Sequence, residues 1–391
     1  MLSALPQNSS LIEYRLFRTI DFKNGDLEEY HLAAVLLLVD PKAKQRFLFR
    51  DLGPFAEIAK MVQEDGAKNA KVYNWLLGPF DEQIKRLKQL YVAPDGPLNL
   101  LSFASLRLPD GRFLAKRQQI NRLQTGRDLL EDKENVPTGK GLVAVGGVTY
   151  GPLPANMTTE QTDLLPLTAA IQRTARELED GFIKLPASRR ETKNIFGKYK
   201  NNVNGTLLIG DDASEYNLKH LKHPPRILHL STHGFFLTDE KKELADEAPL
   251  LLSGLALAGA NNGLQGKLDK HGDDGLLYSL EVLGLNLQGT ELVSLSACDT
   301  GKGVVDYSEG VYGLVRAFRT AGAKNVLMTL TPVGDKSSRE FMETFYDNWL
   351  GSSENLSPAQ ALHKTRLNFI HHENPAYRDP AIWSPYVMVG R

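Results

Sequence analysis

One cysteine in 391 residues is the scarcest resource of this sequence. It excludes an internal disulfide and any zinc or iron–sulfur site built from several thiolates. An excess of charge is missing too: 46 Lys+Arg stand against 47 Asp+Glu, a formal net charge of −1. That balance provides neither the basic field of a direct nucleic-acid binder nor an acidic tail. The longest purely apolar run, Leu32–Val39, falls well short of the roughly 20 residues a membrane helix needs. The first residues lack the basic-then-apolar pattern of a secretory leader. Gly (33) and Pro (20) are close to ordinary usage, so no long disordered segment is expected. What remains is a cytoplasmic chain of mixed α/β class, long enough for about two or three compact units.

The first third reads as strand-rich, with strands at Leu11–Ile20, Tyr30–Asp40 and Gln45–Asp51. Helices follow at Phe55–Glu64 and Lys71–Gln89, then a strand at Gln89–Ala93 closed by the turn Pro94-Asp95-Gly96-Pro97. A polar connector, Glu131–Lys140, leads into a different rhythm, in which short apolar runs alternate with amphipathic helices. The runs are Leu142–Val148, Thr206–Ile209, Arg226–Leu230, Glu291–Ser296, Asn325–Leu330 and Tyr386–Val389. The helices are Thr162–Asp180, Ala187–Tyr199, Ala213–Leu221, Ser308–Ala321, Lys336–Leu350 and Pro358–Ile370. Such alternation predicts an α/β fold with a mostly parallel sheet flanked by helices. It divides the chain near residue 136. The segments Phe236–Leu250 and Ala258–Gly275 follow neither period; loops of that length in a compact α/β unit are usually functional or mobile.

Two strand ends carry chemistry. In RILHLSTHGFF (226–236), Ile227, Leu228 and Leu230 form a strand, with Ser231-Thr232-His233-Gly234 at its carboxyl end. In ELVSLSACDTGKG (291–303), Leu292, Val293 and Leu295 form another, with the lone Cys298 just beyond it. Open parallel sheets bind ligands outside these carboxyl ends. A thiol is mostly protonated at neutral pH, and an adjacent imidazole can take its proton and later protonate the leaving amine. The oxyanion formed on attack needs fixed donors, for which the backbone N–H groups of Gly234 and Cys298 are the candidates. A lone cysteine is more often a small buried hydrophobe, and His-Gly after a strand is often only a turn. Their joint position at two strand ends puts a thiol enzyme on an equal footing with a structural role.

Beyond the dyad, several stretches stand in a familiar order: YVAPDGPLNLLSFASLRL (91–108), NRLQTGRDLL (121–130), ILHLSTHGFF (227–236), DGLLYSLEVLGLNL (274–287) and ELVSLSACDTGKG (291–303). EGVYGLVRAFRTAGAKNVLMTLTPV (309–333), PAQALHKTRL (358–367) and WSPYVMVG (383–390) follow. With these the sequence resembles the CHAT domain family, a caspase- and separase-related group of cysteine peptidases. The resemblance implies a caspase-like fold with His233 as general base and Cys298 as nucleophile. It also implies that 1–135 is a pseudo-protease-like subdomain and 136–391 the catalytic domain. Two departures bear on this: Leu330-Thr331-Pro332-Val333 replaces the family's frequent Leu-Trp-x-Val, and Asn99 stands where a histidine is frequent in the N-terminal half.

The resemblance further implies a thiol protease that cleaves a protein substrate under control of an activating regulator or a tetratricopeptide-repeat partner. Antiviral defence or programmed death in bacteria is the expected setting. The similarity begins almost at Met1, so either a piece of a longer protein or a stand-alone protease is expected. Two other classes compete: a silent caspase-like scaffold that binds peptides, and a thiol hydrolase acting on small molecules.

Asp299, Asp306 and Glu309 are substrate-pocket candidates that could select a basic side chain, although Asp306 and Glu309 read more simply as solvated or helix-start carboxylates. An acid beside Cys298 would raise its pKa, so Asp299 is expected to point away from the sulfur. On the helix Ser308–Ala321, Val311, Leu314, Val315 and Phe318 form a core stripe. His229 shares strand parity with His233 and reads as an interior, hydrogen-bonded histidine. His220, His223, His371 and His372 lack convergent cysteines or carboxylates, so no metal and no cofactor is expected.

Overall fold

The computed structural model describes residues 4–24, 27–39, 47–65, 70–130, 136–153, 180–236, 250, 253–296, 307–331 and 333–390. The chain forms two compact units, Met1–Glu134 together with Leu356–Arg391, and Asn135–Asn355. The chain's last strand belongs to the first unit, where Val389 pairs with Arg122.

The first unit contains β1 (Ser9–Ile20), β2 (Leu27–Leu38), β3 (Phe47–Pro54), β4 (Gln89–Ala93), β5 (Gln119–Arg122) and, from the chain's end, β14 (Tyr386–Gly390). Their order is β3-β2-β1-β4-β5-β14. The β1–β2 and β2–β3 pairs are antiparallel, while β4 adds parallel to β1 and β5 parallel to β4. Side chains alternate across β1 as a period of two requires. Ile12 and Tyr14 enter one core with Leu32, Tyr73 and Phe80, and Leu11 enters another with Tyr91 and Leu123. The buried Tyr14 hydroxyl is satisfied by donating to the Leu76 carbonyl at 3.0 Å.

The helix Phe55–Asp65 forms where its pattern placed it. The single helix expected over Lys71–Gln89 is instead Ala70–Leu76, a 3-10 turn Gly78–Phe80 and Asp81–Ile84. Pro79 has no N–H to continue the ladder.

The second unit contains β6 (Leu142–Val148), β7 (Gly205–Gly210), β8 (Ile227–Ser231), β12 (Leu292–Leu295) and β13 (Asn325–Thr329), in the order β13-β12-β8-β6-β7 and all parallel. Every residue of β8, β12 and β13 is buried, the pattern of parallel strands covered on both faces. A separate antiparallel sheet, β9 (Gly234–Phe236), β10 (Ser253–Ala256) and β11 (Leu276–Tyr278), was not expected from the sequence. The architecture is thus a mostly parallel, helix-flanked α/β fold.

The helix Pro186–Val203 lies close on β6, and Gly146 permits this: a Cβ there would stand 2.1 Å from Thr192 Oγ1. The helix Asp335–Leu350 joins it through Asp347, which accepts from Tyr199 Oη at 2.5 Å and Lys198 Nζ at 2.8 Å. Leu314, Val315 and Phe318 of the helix Tyr307–Thr320 are buried, as their spacing predicted. Residues 162–179 of the expected helix Thr162–Asp180 lie outside the described residues. Among the described residues no helix is long and apolar enough to cross a membrane.

Candidate active site

β8 and β12 are immediate parallel neighbours, with Leu230 opposite Leu295 and Ser294 opposite His229. His233 and Cys298 each follow their member of the Leu230–Leu295 rung by three residues. Just past β12, the Ser296 N–H donates to the Leu230 carbonyl at 2.9 Å. Cys298, Asp299 and Asp306 lie outside the described residues. Glu309 belongs to the helix Tyr307–Thr320.

His233 is 4% exposed and is held from several directions. Its backbone carbonyl accepts from Ala256 N–H at 2.9 Å. Its backbone N–H donates to the Tyr150 hydroxyl oxygen. Tyr150 in turn donates to Thr232 Oγ1 at 2.9 Å, and Thr232 donates to the Ala256 carbonyl at 2.5 Å. Burial pushes the Tyr150 phenol up to about 12, so it stays a neutral donor. Just upstream, Ser188 Oγ donates to the Ser231 carbonyl and accepts from Gly147 N–H.

The imidazole itself lies 2.8 Å through Nε2 from the Ile183 carbonyl oxygen. A carbonyl only accepts, so Nε2 carries the ring hydrogen and Nδ1 of the neutral ring keeps its lone pair. The rings of Tyr150 and Phe182 flank it, with centroids at 5.2 and 5.6 Å. Phe182 is fixed by the fully buried Asn261. The Asn261 Oδ1 accepts from Phe182 N–H at 2.7 Å, and its Nδ2 donates to the Phe182 carbonyl at 3.0 Å and the Gly151 carbonyl at 3.2 Å. Tyr150, Phe182, Ile183 and Asn261 are absent from the sequence reading. Ile183 acts through a backbone atom, which has no residue-type signature, and Asn261 sits in a segment that read only as a loop.

Gly234 opens β9 opposite Leu255. Since Ala256 N–H bonds the His233 carbonyl, that rung is hydrogen-bonded and the next, Gly234–Leu255, is not. Antiparallel rungs alternate in this way, which turns the Gly234 N–H away from β10.

His229, within β8, is fully buried as an interior histidine. Its Nδ1 stands 3.3 Å from Tyr346 Oη and its Nε2 3.2 Å from Glu191 Oε1. His220 stacks on Tyr216 with centroids 4.1 Å apart, and its Nδ1 meets the Tyr216 carbonyl at 2.8 Å. His371 Nδ1 likewise meets the Leu367 carbonyl, at 3.0 Å. Among the described residues no group of three or more His, Cys, Asp or Glu could hold a metal ion.

A family model described as CHAT domain matches residues 67–391. Tetratricopeptide repeat protein 28 of Mus musculus is 32% identical over 118 residues, which is 29% of this chain and 4% of that protein. The Homo sapiens protein of the same name is 32% identical over 115 residues, again 4% of its length. This chain therefore spans 4% of the curated relatives it matches. Among solved structures, a Saccharomyces cerevisiae separase–securin complex aligns with a TM-score of 0.44 and 15% identity over 81% of this chain and 17% of that one. The complex of Porphyromonas gingivalis RgpB pro- and mature domains aligns with a TM-score of 0.44 and 9% identity, over 85% of this chain and 74% of that one.

Proposed function

The chain belongs to the CHAT domain family, and from that premise we propose that it is a cysteine endopeptidase working through Cys298 and His233. The observation that carries the reading is the 2.8 Å contact between His233 Nε2 and the Ile183 carbonyl. It commits the imidazole to the tautomer whose Nδ1 can accept a proton. The strand that leads to it pairs directly with the strand that leads to the only thiol in the chain.

In this mechanism Nδ1 removes the thiol proton, and the thiolate attacks the scissile carbonyl carbon. Negative charge develops on the carbonyl oxygen, toward which the N–H groups of Gly234 and Cys298 donate. The imidazolium is stabilised by its remaining N–H bond to Ile183, and it protonates the departing amine as the C–N bond breaks. Water, deprotonated by the same imidazole, then hydrolyses the thioester and frees the thiol.

The substrate is a partner protein, and Asp299, Asp306 and Glu309 are the side chains proposed to favour a basic residue before the cleaved bond. We place the enzyme in the cytoplasm, under an activating regulator or a tetratricopeptide-repeat partner, in a bacterial defence or cell-death setting. Domain roles follow: the Asn135–Asn355 unit carries the chemistry and the unit built on Met1–Glu134 is a pseudo-protease.

Cys298→Ala and His233→Ala, each assayed by mapping new protein N-termini, test the proposal. Cleavage falls by about 10³-fold or more in each. Unchanged cleavage in both variants overturns it, absence of cleavage in the wild type as in both variants favours a scaffold, and capture of the thiol by small electrophiles but not peptidyl ones favours a small-molecule hydrolase.

A further inference from the structure

The first unit holds a cavity of about 20 Å³, lined among others by Val92, Ser102, Arg122, Arg366 and Met388. It sits beside the last rung shared by β4 and β5, where Val92 pairs with Arg122. A void of this size admits about one water-sized particle. Two arginines on its wall are nearly inaccessible, Arg366 at 3% and Arg122 at 5% exposure.

Their guanidinium groups are served unequally. Arg122 donates to the Asn99 carbonyl, to Asn99 Oδ1 at 3.2 Å and to the Leu101 carbonyl at 3.4 Å. Arg366 donates from Nη2 to the Tyr386 carbonyl at 2.7 Å, but its buried Nε–H has no partner among the described residues. The buried Ser102 Oγ, on the same wall, is also without one.

A buried donor left unmade costs about 1–3 kcal/mol, and a buried charge without a counter-charge costs more. Burial lowers the Arg366 pKa to about 10, which leaves the group cationic at neutral pH. The missing partner must therefore accept from an N–H and an O–H at once, bring negative charge, and occupy the volume of one water. A phosphate or a carboxylate ligand is too large, and a metal cation has the wrong sign. Water accepts both bonds but leaves the charge.

We propose that this cavity is a binding site for a small monovalent anion of the halide class, held by Arg366 Nε–H and Ser102 Oγ–H. The anion ties the helix Pro358–Ile370 to the loop after β4, so that part of the first unit's packing depends on a ligand.

The test uses the full chain, and none of its readouts requires Cys298. Crystals soaked in bromide are expected to show an anomalous peak within hydrogen-bond distance of Arg366 Nε and Ser102 Oγ. The melting temperature in chloride is expected to exceed that in gluconate at equal ionic strength and to saturate with chloride. Ser102→Ala weakens the apparent chloride affinity about ten-fold, as loss of one hydrogen bond to a charged acceptor predicts. Arg366→Gln abolishes the chloride dependence; should that variant not fold, the bromide map and Ser102→Ala still decide. A water in the cavity with melting indifferent to halide, or a peak only at molar bromide with no effect of Ser102→Ala, overturns the proposal.

Discussion

Two cations, one in each unit, are matched in opposite ways. In the second, Lys219 reaches Glu215 at 2.7 Å, Asp273 at 2.9 Å and Glu281 at 2.9 Å, so one cation meets three carboxylates from its own chain. In the same unit the His233 imidazole meets the Ile183 carbonyl, and the residue before it, Phe182, is pinned by the Asn261 side chain. In the first, Arg366 meets one carbonyl and keeps a donor in reserve. A charge neutralised by covalently attached partners fixes local structure at any solution composition. A charge that lacks them makes the structure respond to what the solution contains.

The largest expected break of this contrast comes from the second unit. Lys219→Met leaves Glu215, Asp273 and Glu281 facing one another without their cation. Glu215 is already pushed up to about 8 by burial and by the neighbouring Glu281 and Asp274 carboxylates. An acid whose folded pKa is raised holds a proton that the unfolded chain releases, so stability declines as pH rises between about 4.5 and 8. The variant raises the Glu215 pKa further and extends that decline to higher pH. Because Lys219 is partly exposed, the loss at neutral pH is expected to be about 4 kcal/mol at most, read from urea midpoints at several pH values. A pH-independent loss below about 1 kcal/mol would show that the three carboxylates relax into water and that the cluster is not structural.

The first unit supplies the next effect, with the opposite sign. His363 lies one helical turn before Arg366, and burial with the Arg366 charge lowers its pKa from 6.5 to about 4. Between those values the unfolded chain binds a proton that the native state does not. Stability is therefore full above about pH 6.5 and declines as pH falls toward 4, by up to roughly 3 kcal/mol. His363→Leu is expected to flatten this acid limb of the stability profile. If the first unit binds an anion beside Arg366, chloride raises the His363 midpoint and blunts the limb in the wild type. A limb equally steep in the variant would assign the acid loss to other groups.

Much of the frame was legible because its strands are apolar runs with clear punctuation. Gln89–Ala93 and Leu142–Val148 formed within the expected bounds, since each is a buried run closed by Pro, Gly or a polar cluster. β9, β10 and β11 were not legible: three or four residues are too few to display a period of two. Nor was the return of residues 356–391 to the first unit, because strand order depends on which edge remains unpaired rather than on any local pattern. At the site, His233 stood out as a polar residue at the carboxyl end of a buried strand. The parts that orient it did not, for they are a main-chain carbonyl and an asparagine 28 residues beyond it in a Gly-rich segment.

That asparagine offers the finest test of how the second unit satisfies its own polar groups. Asn261 grips both the N–H and the carbonyl of Phe182, the residue before Ile183. Asn261→Ala removes that grip, so the Ile183 carbonyl loses its fixed aim at Nε2. A positioning loss of this kind is expected to lower kcat about 10- to 100-fold while KM changes little. A merely structural role would lower the melting temperature and leave the pH–rate profile of the surviving enzyme in place. The positioning role predicts a shift: an N–H bond to a carbonyl favours the imidazolium, so losing it lowers the imidazole pKa and moves the limb that His233 controls to lower pH. An unmoved limb, with kcat restored to wild type at low temperature where the fold is intact, would confine Asn261 to packing and leave the imidazole oriented by its own backbone clamp.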